Sequence, residues 1–426
     1  MDSVEITPCG PINATVRPPG SKSITNRALI CTALAEGTSV LSGALRSEDT
    51  QVMIAALRHL GIRVAERDNG RELEVPGASG RILAKDPVAI DCRNSGTSIR
   101  FLTAMLAAAS GEFHLDGIER MRQRPIEDLL AALRQLGADA SCDQPTGCPP
   151  LTIRAAGLPG GQARVKGDVS SQFLSALLMA APAAKTAVTL SIDGELVSRP
   201  YVTMTIEVMR SFGVNLQETD REFVIEPQRY SSCMYDVEPD ASAASYFFAA
   251  AAITGGVVTV QGLSGNSVQG DTKFVDILTQ MGCGVIYDTD CITVQGAPLS
   301  GVHVDMNAIS DTVQTLAAVA IFADGPTTID NVGHIRHKET DRISAIATEL
   351  RKLGADVDER DDGLTITPGE HRAATIDTYD DHRMAMSLAL PGLRIPGVVI
   401  NDPGCTAKTY PEFFDDLAAI CKTSRD

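Results

Sequence analysis

Apolar and polar positions follow a recurring pattern along this chain. In five places a helical run of mixed apolar and polar residues ends in a glycine, and a short strand pattern follows. Glycine after a helix is typical of the left-handed residue that closes the last turn, and alternation with a period of two indicates a strand with one buried face. The five helix ends are Leu57–Gly61, Leu133–Gly137, Met209–Gly213, Leu278–Gly282 and Leu350–Gly354.

A second pattern recurs six times. It consists of an alanine-rich helix, usually a glycine or proline break, and an alternating strand. Together the two patterns predict six α/β units that fill the chain. The six strands lie at Ser39–Gly43, Glu112–Gly117, Val188–Gly194, Val257–Gly262, Thr327–Asn331 and Val398–Asp402.

The sixth unit finishes with a predicted helix near Pro411–Cys421, and no strand pattern follows it. We expect the N-terminal segment Val4–Thr7 to supply the missing strand, so that the chain starts and finishes in one domain. The prediction is a discontinuous domain I of residues 1–19 and 240–426, and an inserted domain II of residues 20–239. A chain of 426 residues is too long for one typical core, which agrees with two domains.

Composition narrows the range of partners. The chain has a net charge of −17 and a pI of about 4.9, which argues against nucleic acid and anionic membranes. The sequence shows neither a run long enough for a membrane-spanning helix nor a secretion signal. We therefore expect a cytoplasmic protein whose ten cysteines are free thiols, and we expect a monomer.

The starts of the alanine-rich helices carry the candidate chemistry. Ser21 or Ser23 can cap the first helix, and a helix N-terminus with Lys22 and Arg27 beside it suits phosphate or carboxylate. An exposed, capped helix with solvated charges would look similar, but Arg27, Arg100 and Arg383 lie inside apolar helices, where a charge needs a partner. The six starts are Gly20–Ser23, Arg93–Arg100, Gly167–Gln172, Pro239–Ser242, Ile309–Thr312 and Asp380–Arg383.

Metal and cofactor sites are not predicted. His334 and His337 have no third ligand at a recognisable spacing, and neither a Walker loop nor a Rossmann glycine fingerprint is present. The ligands that the helix starts predict are small organic anions.

Eight motifs, taken together, resemble the 5-enolpyruvylshikimate-3-phosphate synthase (EPSP synthase) family over the whole chain. The motifs are Pro19–Arg27, Asn94–Thr97, Arg120–Pro125, Gly167–Phe173, Ser198–Tyr201, Lys338–Arg342, Asp381–Met386 and Cys405–Lys408. The resemblance implies two similar domains of three repeated α/β units each, like inside-out α/β barrels, with the active site in the cleft between them. It implies enolpyruvyl transfer from phosphoenolpyruvate to the 5-hydroxyl of shikimate 3-phosphate, on the pathway to chorismate and the aromatic amino acids.

The resemblance also assigns site residues. It implies catalytic roles for Lys22, Asp311 and Glu339. Shikimate 3-phosphate would be bound by Lys22, Ser23, Arg27, Ser170, Ser171, Gln172, Ser198, Tyr201, Asp311, His334 and Lys338. Phosphoenolpyruvate would be bound by Lys22, Gly96, Arg124, Gln172, Arg342, Arg383 and Lys408. His334 stands where we expect an asparagine in the family, and Phe101 stands where many members have a proline.

Two other functions compete with this interpretation. UDP-N-acetylglucosamine enolpyruvyl transferase shares the fold and the donor, but its loop usually carries a reactive cysteine, and Asp116–Pro125 contains none. A non-catalytic scaffold could lose Lys22, Asp311 and Glu339 together, and all three are present.

Overall fold

The computed structural model describes residues 2–168 and 170–422. Val169, which belongs to one of the eight motifs, lies outside the described residues, as do Met1 and residues 423–426. Within the described part the helices are α1 (Lys22–Leu34), α2 (Glu48–His59), α3 (Gly96–Ala107), α4 (Glu127–Gln135), α5 (Ser171–Ala180), α6 (Arg199–Ser211), α7 (Ala241–Thr254), α8 (Phe274–Gln280), α9 (Val313–Ala320), α10 (Arg342–Lys352), α11 (His382–Ala389) and α12 (Phe413–Lys422).

The strands of the described residues are short. They are β1 (Ser3–Glu5), β2 (Asn13–Val16), β3 (Thr38–Ser42), β4 (Ala65–Arg67), β5 (Glu72–Pro76), β6 (Val88–Asp91), β7 (Ser110–Asp116), β8 (Asp139–Cys142), β9 (Leu151–Ala156), β10 (Gly161–Lys166), β11 (Val188–Asp193), β12 (Gln217–Glu218), β13 (Glu222–Ile225), β14 (Met234–Asp236), β15 (Val257–Gln261), β16 (Gly284–Tyr287), β17 (Cys291–Gln295), β18 (His303–Asp305), β19 (Thr327–Asp330), β20 (Asp356–Arg360), β21 (Gly363–Thr367), β22 (Thr375–Ile376) and β23 (Val399–Asn401).

The described strands form six sheets of one design. In each sheet a parallel pair is followed by antiparallel strands, and the orders are β14-β3-β5-β4, β6-β7-β9-β8, β10-β11-β13-β12, β2-β15-β17-β16, β18-β19-β21-β20 and β22-β23-β1. Where the parallel strands are consecutive in the chain, a helix connects them, as a parallel pair requires. The predicted α/β class with a six-fold repeat is therefore confirmed.

Strands from distant parts of the chain complete three of the sheets. The predicted N-terminal strand is present as β1, and it pairs antiparallel with β23, with Ser3 opposite Asn401. β2 pairs with β15 across the whole insertion, and β14 returns to pair with β3. The sixth sheet is therefore completed by the N-terminal strand, as the sequence predicted.

The chain divides into two compact units. Unit 1 comprises Met1–Pro19 and Glu238–Asp426, and unit 2 comprises Gly20–Val237. The sequence placed its second boundary after residue 239 rather than after residue 237.

Two classes of helix recur in each unit. The first helix of every repeat is almost fully buried: all residues of α3, α7, α9 and α11 are buried, and only Ser23 in α1 and Gln172 in α5 are not. The second helix of a repeat is amphipathic, and its solvent face is charged. In unit 1 the buried helices meet through Ser245, Thr315 and Ser387, whose hydroxyl groups lie 3.1 and 3.2 Å apart.

The glycines predicted to end helices have the expected conformation. The φ angles of Gly61, Gly137, Gly213, Gly282 and Gly354 lie between 82° and 113°. Each follows its helix after one intervening residue, and each is the C′ residue of that helix.

One helix start differs from its prediction. Ile309–Thr312 lies in a 3₁₀ turn, Asn307–Thr312, and the regular helix α9 begins only at Val313. Ile309 inside this turn departs from helical angles (φ −129°, ψ 39°), which separates the turn from the helix. Asp311 therefore lies on an irregular segment and does not cap α9.

Replacing Gly61 with alanine should destabilise unit 2 through backbone strain alone. The φ of Gly61 is +83°, and a Cβ there would meet no atom within 4 Å. The free energy of unfolding should therefore fall by about 1–2 kcal/mol, the cost of the left-handed conformation for an L-residue. Gly265→Ala is the matched control, because Gly265 is also exposed but lies outside the left-handed region. Urea unfolding of the three proteins measures the effect. Equal stabilities of the two variants would contradict the conformational argument.

Candidate active site

A buried cluster of opposite charges lies in unit 1. Arg342, the first residue of α10, is 1% exposed, and its guanidinium donates to both oxygens of Asp381 at 2.8 and 3.2 Å. It also donates to Asp311 at 3.3 Å and to Glu339 at 2.9 Å. A buried guanidinium is stable only when its charge and its donors are satisfied, and here three carboxylates do so.

Three more cations complete this cluster. Arg383 donates to Asp311 at 2.8 Å, and the Lys338 ammonium lies 3.5 Å from the same carboxylate. Lys408 lies 3.1 Å from Glu339. Four cations thus contact three carboxylates, and Glu339 is held between Arg342 and Lys408.

The local electrostatics follow from burial and from these contacts. Burial alone would lower the pKa of Arg342, but Asp381, Glu339 and Asp311 raise it above its ordinary value, so the residue remains cationic. For Lys338, burial lowers the pKa despite the nearby Asp311. Burial likewise raises the pKa of Tyr246, whose hydroxyl contacts Arg383 at 3.5 Å, to about 12.

His334 lies half-buried in the 3₁₀ turn Gly333–His337, which follows β19 in the chain. Burial and the positive charge of Lys338 lower its pKa to about 4. The imidazole is therefore neutral at neutral pH, and it presents both a donor and an acceptor.

In unit 2, Lys22 begins α1 and is 9% exposed. The cap of α1 is Ser21, one of the two predicted candidates, whose hydroxyl accepts from the Ile24 amide. The Lys22 ammonium lies 3.5 Å from the buried carboxylate of Asp49. This pairing holds the ammonium at the helix start.

Two arginines surround Gly96, the first residue of α3. A Cβ at Gly96 would overlap the Arg124 guanidinium, with its Cζ at 2.8 Å, and would lie 3.0 Å from an Arg100 nitrogen. Gln172 accepts from Arg100 at 2.6 Å, and Arg124 donates to the Asn94 carbonyl at 3.1 Å. A side chain at position 96 would therefore displace the Arg124 guanidinium.

Arg27 is 2% exposed and connects three helices of unit 2. It donates to Thr205 at 2.7 Å, to the Tyr201 carbonyl at 3.1 Å and to the Ser23 carbonyl at 2.9 Å. Its guanidinium lies over the ring of Phe101, 5.2 Å from the centroid. Burial lowers the pKa of Arg27 to about 10, which still leaves the residue cationic at neutral pH.

The predicted serines of unit 2 also lie at helix starts. Ser170 caps α5, and its hydroxyl accepts from the Gln172 amide. Ser171 is the first residue of α5 and is buried. Ser198 precedes α6 with φ +55° and ψ 41°, a strained conformation of the kind that concentrates at functional sites.

The structure thus groups the predicted residues into two sets. In unit 1 it brings together Asp311, Lys338, Glu339, Arg342, Arg383 and Lys408. In unit 2 it brings together Gly96, Arg124 and Gln172 around Arg100, and Arg27 with Ser23 and Tyr201. Among the described residues, no three His, Cys, Asp or Glu side chains are arranged to hold a metal ion. In that same part of the chain, no helix is long and apolar enough to cross a membrane.

A family model for EPSP synthase (3-phosphoshikimate 1-carboxyvinyltransferase) matches residues 6–417. The chain belongs to the EPSP synthase family. A 3-phosphoshikimate 1-carboxyvinyltransferase of Nostoc punctiforme is 48% identical over 418 residues, which cover 97% of this chain and 98% of the relative. One from Shewanella loihica is 47% identical over 426 residues, covering 99% and 100%.

Solved structures agree with this assignment. EPSP synthase from Acinetobacter baumannii matches 99% of this chain and 98% of its own, with a TM-score of 0.83 and 27% identity. The enolpyruvyl transferase NikO of Streptomyces tendae has the same fold, with a TM-score of 0.77, 19% identity and coverage of 98% and 97%. The predicted family, fold and enzyme class are confirmed.

Some residues of the clusters in unit 1 and unit 2 were not among the predicted site residues. Asp381 begins one of the recognised motifs, and Arg100 is a charge inside an apolar helix, so both carried a signal in the sequence. Asp49 and Tyr246 lie outside the motifs, and only the fold brings them to Lys22 and Arg383.

Acid should destabilise the folded protein partly through His334. The unfolded chain takes up a proton below about pH 6.5, whereas folded His334 resists protonation to about pH 4, so stability falls as the pH drops through this interval. His334→Asn should lose less stability than the parent between pH 7 and pH 4.5. Urea midpoints at several pH values test this. Parallel pH profiles for the two proteins would contradict it.

Proposed function

We propose that the charged clusters of both units act on one substrate pair, phosphoenolpyruvate and shikimate 3-phosphate. In the reaction of this family, the enolpyruvyl group moves to the 5-hydroxyl of shikimate 3-phosphate and phosphate is released. The observation that carries the residue assignment is the position of Glu339, a carboxylate held between the cations of Arg342 and Lys408. This arrangement offers anion binding and proton transfer in the same place.

The donor would be held by a set of cations. Arg124, Arg342 and Arg383 can bind its carboxylate and phosphate through bidentate bonds, with Lys22, Lys408, Gly96 and Gln172 completing the set. Arg342 and Arg383 are already fixed by Asp381 and Asp311, so their guanidinium groups lose little freedom on binding. Such preorganised charge stabilises the tetrahedral intermediate as its charge shifts.

The acceptor would be held by hydroxyl groups and amides at the helix starts of unit 2. The hydrogen-bond donors there are Ser23, Ser170, Ser171, Gln172, Ser198 and Tyr201. The positive charge of Arg27 would attract the negatively charged substrate. From unit 1, Lys338 and neutral His334 would add hydrogen bonds to the substrate. The left-handed conformation of Ser198, directly before α6, supports this proposal, because strained residues of this kind concentrate at functional sites.

The chemistry needs three proton transfers. The 5-hydroxyl loses a proton as its oxygen attacks C2 of phosphoenolpyruvate, and C3 gains one. When phosphate leaves C2, C3 returns its proton and the double bond forms again. We assign Asp311 to orient the hydroxyl and help to deprotonate it, and Glu339 and Lys22 to transfer the proton at C3. All intermediates remain non-covalent with respect to the protein.

Two further properties belong to this proposal. We propose a cytoplasmic location, which buried thiols such as Cys31, Cys92 and Cys283 support. We also propose a monomer. Sedimentation at micromolar concentration tests this, and a stable dimer would refute it.

Purified protein should release phosphate from phosphoenolpyruvate only when shikimate 3-phosphate is present. Glu339→Gln should keep both KM values within a few-fold and lower kcat by about 10²- to 10⁴-fold, because an amide conserves shape but cannot accept and return a proton. Glu412→Gln is the control, since Glu412 is exposed. A Glu339→Gln enzyme with kcat near that of the parent would refute this role, and phosphate release independent of shikimate 3-phosphate would refute the function.

Gly96→Ala should weaken binding of phosphoenolpyruvate selectively. The added methyl group must displace the Arg124 guanidinium, and the loss of a charged hydrogen bond of 1.5–3 kcal/mol corresponds to an increase in KM of about tenfold or more. Gly284→Ala serves as the control, because a Cβ there would make ordinary contacts of 3.5 Å. Steady-state kinetics with each substrate varied would measure both constants. An equal increase in KM for shikimate 3-phosphate would contradict a specific effect on Arg124.

A further inference from the structure

Lys338 and Glu339 lie on a short segment without regular secondary structure. The 3₁₀ turn Gly333–His337 ends before it, and α10 begins after it at Arg342. At its start, the Lys338 amide donates to the Ile335 carbonyl at 3.4 Å. Lys338 and Glu339 lie outside the backbone ladders of helices and strands, and side-chain contacts contribute to their position.

Arg336 connects the two ends of this segment. It lies two residues before Lys338, and one of its terminal nitrogens donates to both oxygens of Asp341 at 2.9 and 2.7 Å. Asp341 is the cap of α10 and accepts from the Ser344 amide at 3.1 Å. The Arg336–Asp341 pair thus spans Lys338 and Glu339 and attaches them to the helix that begins with Arg342.

The remaining donors of Arg336 attach the same segment to the neighbouring β20–β21 hairpin. Nε donates to the Asp361 carbonyl at 2.9 Å, and the second terminal nitrogen donates to the Arg360 carbonyl at 2.7 Å and to Glu359 at 3.1 Å. All three nitrogens of the guanidinium therefore point at protein acceptors on two elements. None of these acceptors belongs to the buried cluster of Asp311, Glu339 and Asp381, which favours a role in geometry.

We propose that Arg336 is a positioning residue for the reaction: its guanidinium fixes the Lys338–Glu339 segment between the α10 cap and the β20–β21 hairpin. The inference rests on the proposed role of Glu339. Catalytic groups must be held within a fraction of an ångström, and a displacement of 1 Å can cost about 10²-fold in rate. A planar fork with donors on three nitrogens can hold three acceptors at once, whereas a lysine ammonium cannot reproduce this geometry.

The hairpin provides a matched control. Arg360 also bonds within this region, to Thr365 at 2.8 Å, to the Ile329 carbonyl at 3.3 Å and to Asp330, but it makes none of these bonds to the 338–341 segment. Arg360→Lys thus removes a comparable fork from the same hairpin. It should lower the unfolding temperature while leaving kcat within about twofold of the parent.

Arg336→Lys should lower kcat by about ten- to a hundredfold, with KM for phosphoenolpyruvate within threefold, at a temperature where circular dichroism shows all proteins folded. Parent activity dependent on shikimate 3-phosphate is measured first, so its absence would refute the proposed function and not this inference. If the parent is active and Arg336→Lys retains kcat within twofold, the inference is wrong. It is also wrong if Arg360→Lys loses as much kcat, since the effect would then be a general consequence of weakening the hairpin.

Discussion

The burial of Arg342 is the constraint on which unit 1 depends. Burying a guanidinium to 1% exposure is costly unless its charge and its donors are satisfied, and Asp381, Glu339 and Asp311 meet that requirement. These carboxylates come from three separate segments, so the burial of one cation brings Asp311, Glu339 and Asp381 together. The contacts that remove a folding penalty therefore also assemble residues to which we assign the chemistry.

The repeat explains how so many polar groups reach the starts of buried helices. A helix that is apolar along its whole length must lie inside the protein, but its first turn still exposes unpaired amides that require acceptors. Capping by Ser21, Ser95, Ser170, Asp240 and Asp381 meets this need in five repeats. The residues next to the caps can then differ between repeats without disturbing the core. One repeated unit can therefore place lysine, glycine, glutamine or arginine at related positions.

Sequence reasoning succeeded where the cause is local. The glycine helix ends and the caps follow from the conformation of single residues, and the motif around Glu339 and Arg342 identified the charged segment. Reasoning from the sequence missed features that depend on tertiary contacts. Asp49 has no signal linking it to Lys22, and the 3₁₀ turn that holds Asp311 depends on a backbone angle at Ile309. The contact between Phe101 and Arg27 arises from packing between two helices, which periodicity does not report.

The pairing of β1 with β23 has a consequence for synthesis on the ribosome. All strands of unit 2 are available once Asp236 has emerged, so that unit can finish its sheets while translation continues. In unit 1, by contrast, Ser3 can pair with Asn401 only after Asn401 has been synthesised, and the loop that this pairing closes spans most of the chain. The N-terminal strand therefore remains an unpaired edge for nearly the whole of translation, and its shortness, three residues, limits the surface it offers to the wrong partner.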